Sequence, residues 1–153
     1  MEQDLSYRKA VISDLKSIIR LLHDDNLGKT REDLESGSFQ RYRHAFTAIN
    51  NDPNQYLMVV ESGSKVVGTC HLTVMPSLTF TGSLRLQIEA VRVKEEYRSQ
   101  NIGEWMINQA IEYGRKNGAS IIQLTTDRNR PRARQFYMRI GFADSHSGMK
   151  IHI

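Results

Sequence analysis

Two hydrophobic periods alternate along the chain, and each change of period marks a boundary. Leu5-Ser6-Tyr7-Arg8-Lys9-Ala10 repeats every second residue, as a short strand does. Ser13-Asp14 then offers an N-cap to a helix carrying Leu15, Ile18, Ile19 and Leu22. From His23 to Gly37 the composition turns polar, which predicts a surface loop or weak helix with Asp24, Asp25, Glu32 and Asp33 solvated, recognition of an amine cation being their second reading. Phe39, Tyr42, Phe46 and Ile49 return at helical intervals until Asn50-Asn51-Asp52-Pro53 ends the segment. Gln55 to Glu61 and Lys65 to Met75 read as strands joined by a turn at Ser62-Gly63-Ser64, the second stopped by Pro76. Alternation puts Cys70 and His71 on opposite faces of that strand, a packed thiol and a strand histidine with no catalytic partner at recognisable spacing.

Ser77 to Gly82 reads as a loop and Ser83 to Val93 as a long strand. Leu84, Leu86, Ile88 and Ala90 alternate there with Arg85, Gln87 and Glu89, but Val91 and Val93 continue on the Glu89 parity. A change of sense at Glu89-Ala90-Val91 is the pattern of one extra residue, a β-bulge. The chain then passes through a short polar loop into a helix holding Trp105, Met106, Ala110, Ile111 and Gly114, closed by Asn117-Gly118. Such a junction is a natural anion site, because loop N–H groups and the positive helix end wrap a phosphate together. Asn101 tolerates a left-handed conformation, and Gly103 permits close backbone approach. Ser120 to Thr125 follows as a strand parallel to Ser83–Val93, placing Thr125, Thr126 and Asp127 on the same rim as Val93 and the Arg98 loop. Asn129 reads as an N-cap with Pro131 in the first turn of a last helix, and Ser145 to Ile153 as a final strand.

Length and composition narrow the class. A chain of 153 residues supports one domain, residues 1–153, with a real core. An apolar content of 39% and a charged content of 25% describe a globular chain and exclude a mainly disordered one. No apolar run approaches bilayer length and the N-terminus lacks a signal-peptide pattern, so the expected location is cytoplasmic, with no membrane partner. Cys70 is the sole cysteine, which excludes an internal disulfide and a thiolate metal cluster. A net charge of +4 suits an anionic cofactor as well as it suits nucleic acid.

Two motifs carry a resemblance. Arg98-Ser99-Gln100-Asn101-Ile102-Gly103, after a strand and before a helix, resembles the Arg/Gln-x-x-Gly-x-Gly/Ala signature of the GNAT superfamily of acetyl-CoA-dependent N-acetyltransferases, with Asn101 where a glycine is usual. Asn129, Ala133, Phe136, Tyr137, Gly141 and Phe142 resemble the Asn-x-x-x-Ala-x-x-Phe-Tyr-x-x-x-Gly-Phe run that follows in the same superfamily. The resemblance implies an α/β fold, a central, mostly antiparallel twisted sheet with a parallel splayed strand pair and flanking helices. It also implies acetyl-CoA as acetyl donor, without a metal.

On that resemblance the amides of Arg98, Ser99, Gln100, Asn101, Ile102 and Gly103 hold the pyrophosphate. Val91, Arg92 and Val93 run beside the pantetheine arm, which Asn129 and Tyr137 also contact, and the segment between the first two helices lines the acceptor side. Glu89 is the candidate base, the Val91 N–H the candidate oxyanion donor and Tyr137 the candidate acid for the thiolate. The two side chains have plainer readings: an ion-paired strand carboxylate for Glu89, a packed ring for Tyr137. The expected reaction is acetyl transfer to a primary amine of a small molecule by direct attack in a ternary complex. A protein lysine or N-terminus as acceptor, and a non-catalytic acetyl-CoA sensor, are the alternatives, and a homodimer is left open. Arg128, Arg130, Arg132, Arg134 and Arg139 suggest nucleic acid, but their spacing on a helix makes no single stripe, so no nucleic-acid partner is expected.

Overall fold

Five segments pair in chain order into one sheet: β1 (Leu5–Lys9), β2 (Gln55–Ser62), β3 (Lys65–Pro76), β4 (Leu84–Val93) and β5 (Ala119–Leu124). The computed structural model describes residues 4–153. The first three pairings are antiparallel and β4 runs parallel to β5, as a strand, helix, strand connection requires. The mixed sheet expected from the sequence is therefore present. Around it lie α1 (Leu15–His23), α2 (Gly28–Arg31), α3 (Ser36–Asn51) and α5 (Ile102–Lys116), with α4 (Thr79–Gly82) a single turn between β3 and β4. The chain forms two compact units, residues up to Gln123 and Leu124–Ile153, the second holding α6 (Pro131–Arg139).

Alternation decides the core of the first unit. Met58, Cys70, Leu72, Leu86 and Ile88 are buried together with Ile102, Met106, Ile107 and Ala110 of α5. Each of the buried Met, Leu and Ile side chains contributes about 1.5–3 kcal/mol through removal from water. Gly114 lets that helix lie close on the sheet, since a Cβ there would come within 2.7 Å of Ile122 and 3.0 Å of Leu86. On the opposite face Val59 packs with Ala10, Leu15, Ile18, Ile19 and Phe46. Asp14 begins α1 but its side chain does not cap it. Instead it turns back to accept from the Val11 N–H at 2.8 Å and to pair with Arg8 at 2.7 Å, while Arg8 also reaches Glu61 at 2.8 Å.

Four expectations need correction. Pro76 belongs to β3 as its last residue, where no further ladder donor is needed. The loop after it contains α4, in which Phe80 and Thr81 take positive φ. The N-cap of α6 is Arg130, not Asn129, because Asn129 is held one turn earlier by a bond from its N–H to Asp127 Oδ1 at 2.9 Å. The final strand does not form: residues 145–153 have an alternating pattern but belong to no ladder of the described residues, and Met149 and Ile151 remain exposed. Alternation supplies a face; a strand also needs a partner edge for its backbone groups.

Candidate active site

The bulge that the change of alternation predicts is present on β4. Glu89 lies opposite His71 and Arg92 opposite Thr69, so Ala90 and Val91 together face one residue, Cys70. Ala90 absorbs the extra length at φ 52°, a left-handed conformation that costs a non-glycine residue roughly 1–2 kcal/mol. The bulge moves Ala90 out of the core parity into an exposed position, leaves Glu89 exposed, and sets Val91 and Val93 half-buried. Gln123, near the end of β5, donates to Gln87 Oε1 at 2.8 Å. β4 therefore continues toward Val93 past the level at which β5 stops.

Two polar contacts surround the bulge that sequence reasoning missed. His71, read as an isolated strand histidine, sits across the ladder from Glu89, its Nε2 2.7 Å from Gln55 Oε1. Burial holds its imidazole below the ordinary histidine range, against a smaller opposing pull from the Glu89 charge. Asp25, expected to be solvated, is instead paired with Arg92, Oδ2 to Nε at 2.8 Å, with the two side chains only 14% and 17% exposed. Asp25 Oδ1 also accepts from the Gly28 N–H at 2.5 Å, and Arg92 Nη1 donates to the Val91 carbonyl at 2.9 Å. A Cβ at Gly28 would lie 1.9 Å from the Leu22 carbonyl oxygen, so glycine is required where the chain folds back to reach Arg92. Neither contact was legible as such, because register across a bulge and a contact between segments this far apart in sequence leave no local pattern.

Beyond Val93 the loop is tied to β3 and fastened to its own carbonyls by side chains. Lys94 donates its N–H to the Val67 carbonyl at 2.8 Å, Arg98 Nε donates to the Val93 carbonyl at 3.1 Å, and Gln100 Nε2 to the Glu96 carbonyl at 2.9 Å. Ser99 at φ 60° and Asn101 at φ 61° are left-handed, the geometry that turns successive amides toward one side. Asn101 thus takes the conformation a glycine would, and leads into the first turn of α5, where the amides of Ile102, Gly103 and Glu104 precede the first helical bond, Trp105 N–H to Asn101 carbonyl. A cleft of about 200 Å³ opens beside Val93 and Arg98, its wall holding Lys29 and Lys94 together with Asp24, Glu95 and Glu96, and Lys94 is paired with Glu96 at 2.6 Å. It is the left-handed loop and the first-turn amides of α5, not this mixed wall, that have the chemistry of a phosphate site.

Asn129 and Tyr137 belong to the second unit. Tyr137 packs edge-on against Phe136 and Phe142, with ring centroids 5.1 and 5.8 Å away, and its carbonyl accepts from the Phe142 N–H at 3.0 Å. The Phe-Tyr and Gly-Phe pairs of the second motif therefore form one aromatic cluster. Cys70 is fully buried and its thiol is pushed up to about 12 by desolvation, so it is no nucleophile. No group of three or more metal-ligating side chains occurs among the described residues, and no helix among them is long and apolar enough to cross a membrane.

Comparison with known proteins bears on this arrangement. Residues 16–142 match the Acetyltransferase (GNAT) family. The aminoalkylphosphonate N-acetyltransferase of Salmonella typhimurium is 31% identical over 108 residues, 71% of this chain and 70% of that protein. A Bacillus halodurans protein described as a transcriptional regulator is 40% identical, with a TM-score of 0.94 over 97% of this chain and 99% of its own. Glucosamine-6-phosphate N-acetyltransferase of Arabidopsis thaliana shares the fold at 18% identity, with a TM-score of 0.77 over 97% of each chain. With the family matched over residues 16–142 and an N-acetyltransferase 31% identical over 71% of the chain, the chain belongs to the GNAT family of N-acetyltransferases.

Proposed function

We propose that the protein transfers the acetyl group of acetyl-CoA to the primary amine of a small molecule, by direct attack within a ternary complex. The observation that carries this reading is the β4 bulge at Ala90-Val91, with a carboxylate before it and an amide-rich loop and helix start after it. Acetyl-CoA supplies the activated acyl group. The amides of Ser99 to Gly103 hold the pyrophosphate; the Arg98 amide, expected to join them, is bonded to the Glu95 carbonyl at 3.1 Å, so Arg98 takes part through its side chain. The backbone of Val91 and Val93 aligns the pantetheine arm as an added strand would be aligned. Asn129 contacts the same arm.

At the reacting centre Glu89 accepts the ammonium proton of the acceptor, through water, and so delivers a neutral amine. The Val91 N–H donates to the oxyanion of the tetrahedral intermediate, and the peptide that follows it is held by Arg92, whose Nη1 donates to the Val91 carbonyl and which is itself paired with Asp25. Tyr137 returns a proton to the departing thiolate. The buried Cys70 argues against a covalent acetyl-protein route. A small acceptor is favoured by the relative that acts on aminoalkylphosphonates.

A nucleic-acid reading has one specific support, the Bacillus halodurans protein described as a transcriptional regulator. Against it, Arg134 is paired with Asp144 at 2.7 Å and Arg139 lies over the Phe136 ring, so these arginines are engaged within their own unit. An assay of acetyl-CoA consumption over a panel of amines tests the proposal. Turnover dependent on the amine is expected; a panel of small amines without turnover, alongside acetylation of a lysine peptide, would move the acceptor to protein.

A further inference from the structure

The odd-numbered face of β4 changes character along the sheet. At Val59 that face is sealed by α1 and α3, but farther along it Arg85, Gln87, Thr73 and His71 are half-buried and Glu89 is exposed. In register, Met75 faces Arg85, Thr73 faces Gln87 and His71 faces Glu89. A half-open row of polar side chains on a sheet whose other face is a dry core is a platform for a polar ligand. At one end of it stands the carboxylate of Glu89; at the other stands a cation.

Arg85 is the unusual member. Its Nη1 donates to Gln123 Oε1 at 3.3 Å and its Nη2 to Thr79 Oγ1, both neutral acceptors. Its Nε is buried without a hydrogen-bond acceptor, and among the described residues no carboxylate pairs with it. A guanidinium that is half out of water and has a donor unused lacks the anion it is built to fork. The β3–β4 turn gives an independent sign. Phe80 stacks over the guanidinium at 5.5 Å yet is 73% exposed, and both Phe80 and Thr81 are held at positive φ. Left-handed backbone at a bulky and a β-branched residue is strain of the kind that collects at ligand clamps.

We propose that Arg85 anchors an anionic group, a phosphonate, phosphate or carboxylate, carried by the amine acceptor, whose amine lies toward Glu89, with Phe80 swinging over the anion as a cover. This rests on the acetyl-transfer reading above and adds to it the acceptor class and a binding residue. Glu89 lies four residue steps beyond Arg85, about 13 Å along the strand. The long Arg85 side chain shortens that gap, so the best acceptor holds amine and anion several bonds apart.

The test measures kcat/KM for ω-aminoalkylphosphonates of two to six carbons against amino alcohols of the same lengths, with amino acids of matching length as the carboxylate arm and amino alkyl phosphates as the phosphate arm. The unaltered protein should prefer an anionic series, with an optimum at intermediate length. In Arg85→Gln the ratio of kcat/KM between anionic and neutral partners should fall by about tenfold or more, and Arg85→Lys should restore part of it. Because the readout is a ratio within one sample, a partly unfolded variant does not blur it. No preference for anionic amines in the unaltered protein, or an equal loss with both series in Arg85→Gln, overturns the proposal while leaving acetyl transfer standing. Absence of transfer to every amine, neutral or anionic, removes the acetyl-transfer reading and this one with it.

Discussion

Glu89 differs from the other carboxylates around it in having a neutral histidine opposite and solvent in front. If it accepts the ammonium proton, Glu89→Gln should lower turnover by on the order of a hundredfold, leave acetyl-CoA binding unchanged, and recover part of the rate at high pH, where free amine is abundant. Steady-state kinetics from neutral to alkaline pH, with an acetyl-CoA titration of the same variant, checks this; unchanged turnover would return Glu89 to a surface role. Tyr137→Phe removes one hydroxyl from an aromatic cluster whose packing it retains. A loss of turnover of at least tenfold with an unmoved melting temperature is expected for a proton donor, whereas a lower melting temperature with turnover per folded molecule preserved is the signature of a buried hydrogen-bonding group. The sequence exposed these two residues because each stands inside or beside a local motif. Asp25, His71 and Arg85 were not legible, since what distinguishes them is a partner, or a missing one, supplied by a segment far away in the chain.

The bulge and the loop of β4 show how much of an element local pattern can carry. One break of alternation marks the extra residue, and the structure locates it at Ala90 with φ 52°. Ala90→Gly should relieve the left-handed strain and raise stability by up to about 1 kcal/mol. Ala90→Val places a β-branched side chain in a conformation it resists, and should cost at least as much and reduce turnover through the misplaced Val91 amide. Chemical denaturation of both variants, with kcat measured beside it, checks the pair; equal stability for glycine and valine would mean that the bulge is not conformationally demanding. Asn101 shows the same logic, a non-glycine tolerated at φ 61° because its polar side chain suits that region. Residues 145–153 are the opposite case, where alternation marks a face but pairing cannot be inferred from it. The helix of the second motif forms where its pattern places it, and only its cap is displaced by one residue.

At the scale of the molecule, stability should depend on pH in two steps. His71 has its pKa lowered in the folded state, so folding favours the neutral ring. Its contribution is full above the unfolded value of about 6.5 and is lost progressively as pH falls from there through the folded value. Asp14 has its pKa lowered by the hydrogen bonds from Arg8, with a smaller contribution from the Val11 N–H and a partial offset from burial. Its contribution is present above the unfolded carboxylate value of about 3.9 and disappears as pH falls through the lower folded value. Melting temperature measured against pH should therefore decline first on the acid side of about 6.5, and His71→Asn should flatten that first decline while leaving the second. A single decline confined below about pH 4 would contradict the assignment to His71.

The central claim is direct acetyl transfer from acetyl-CoA to an amine, with no acetylated protein between them. Mixing stoichiometric protein with isotopically labelled acetyl-CoA, first alone and then with an amine that the panel identifies, and following protein and amine by mass spectrometry within a single turnover, tests it at once. Direct transfer leaves the protein mass unmodified throughout, with label appearing in the amine only when all three components are present. Label on the protein before amine is added, or no labelled amine at all, would contradict it.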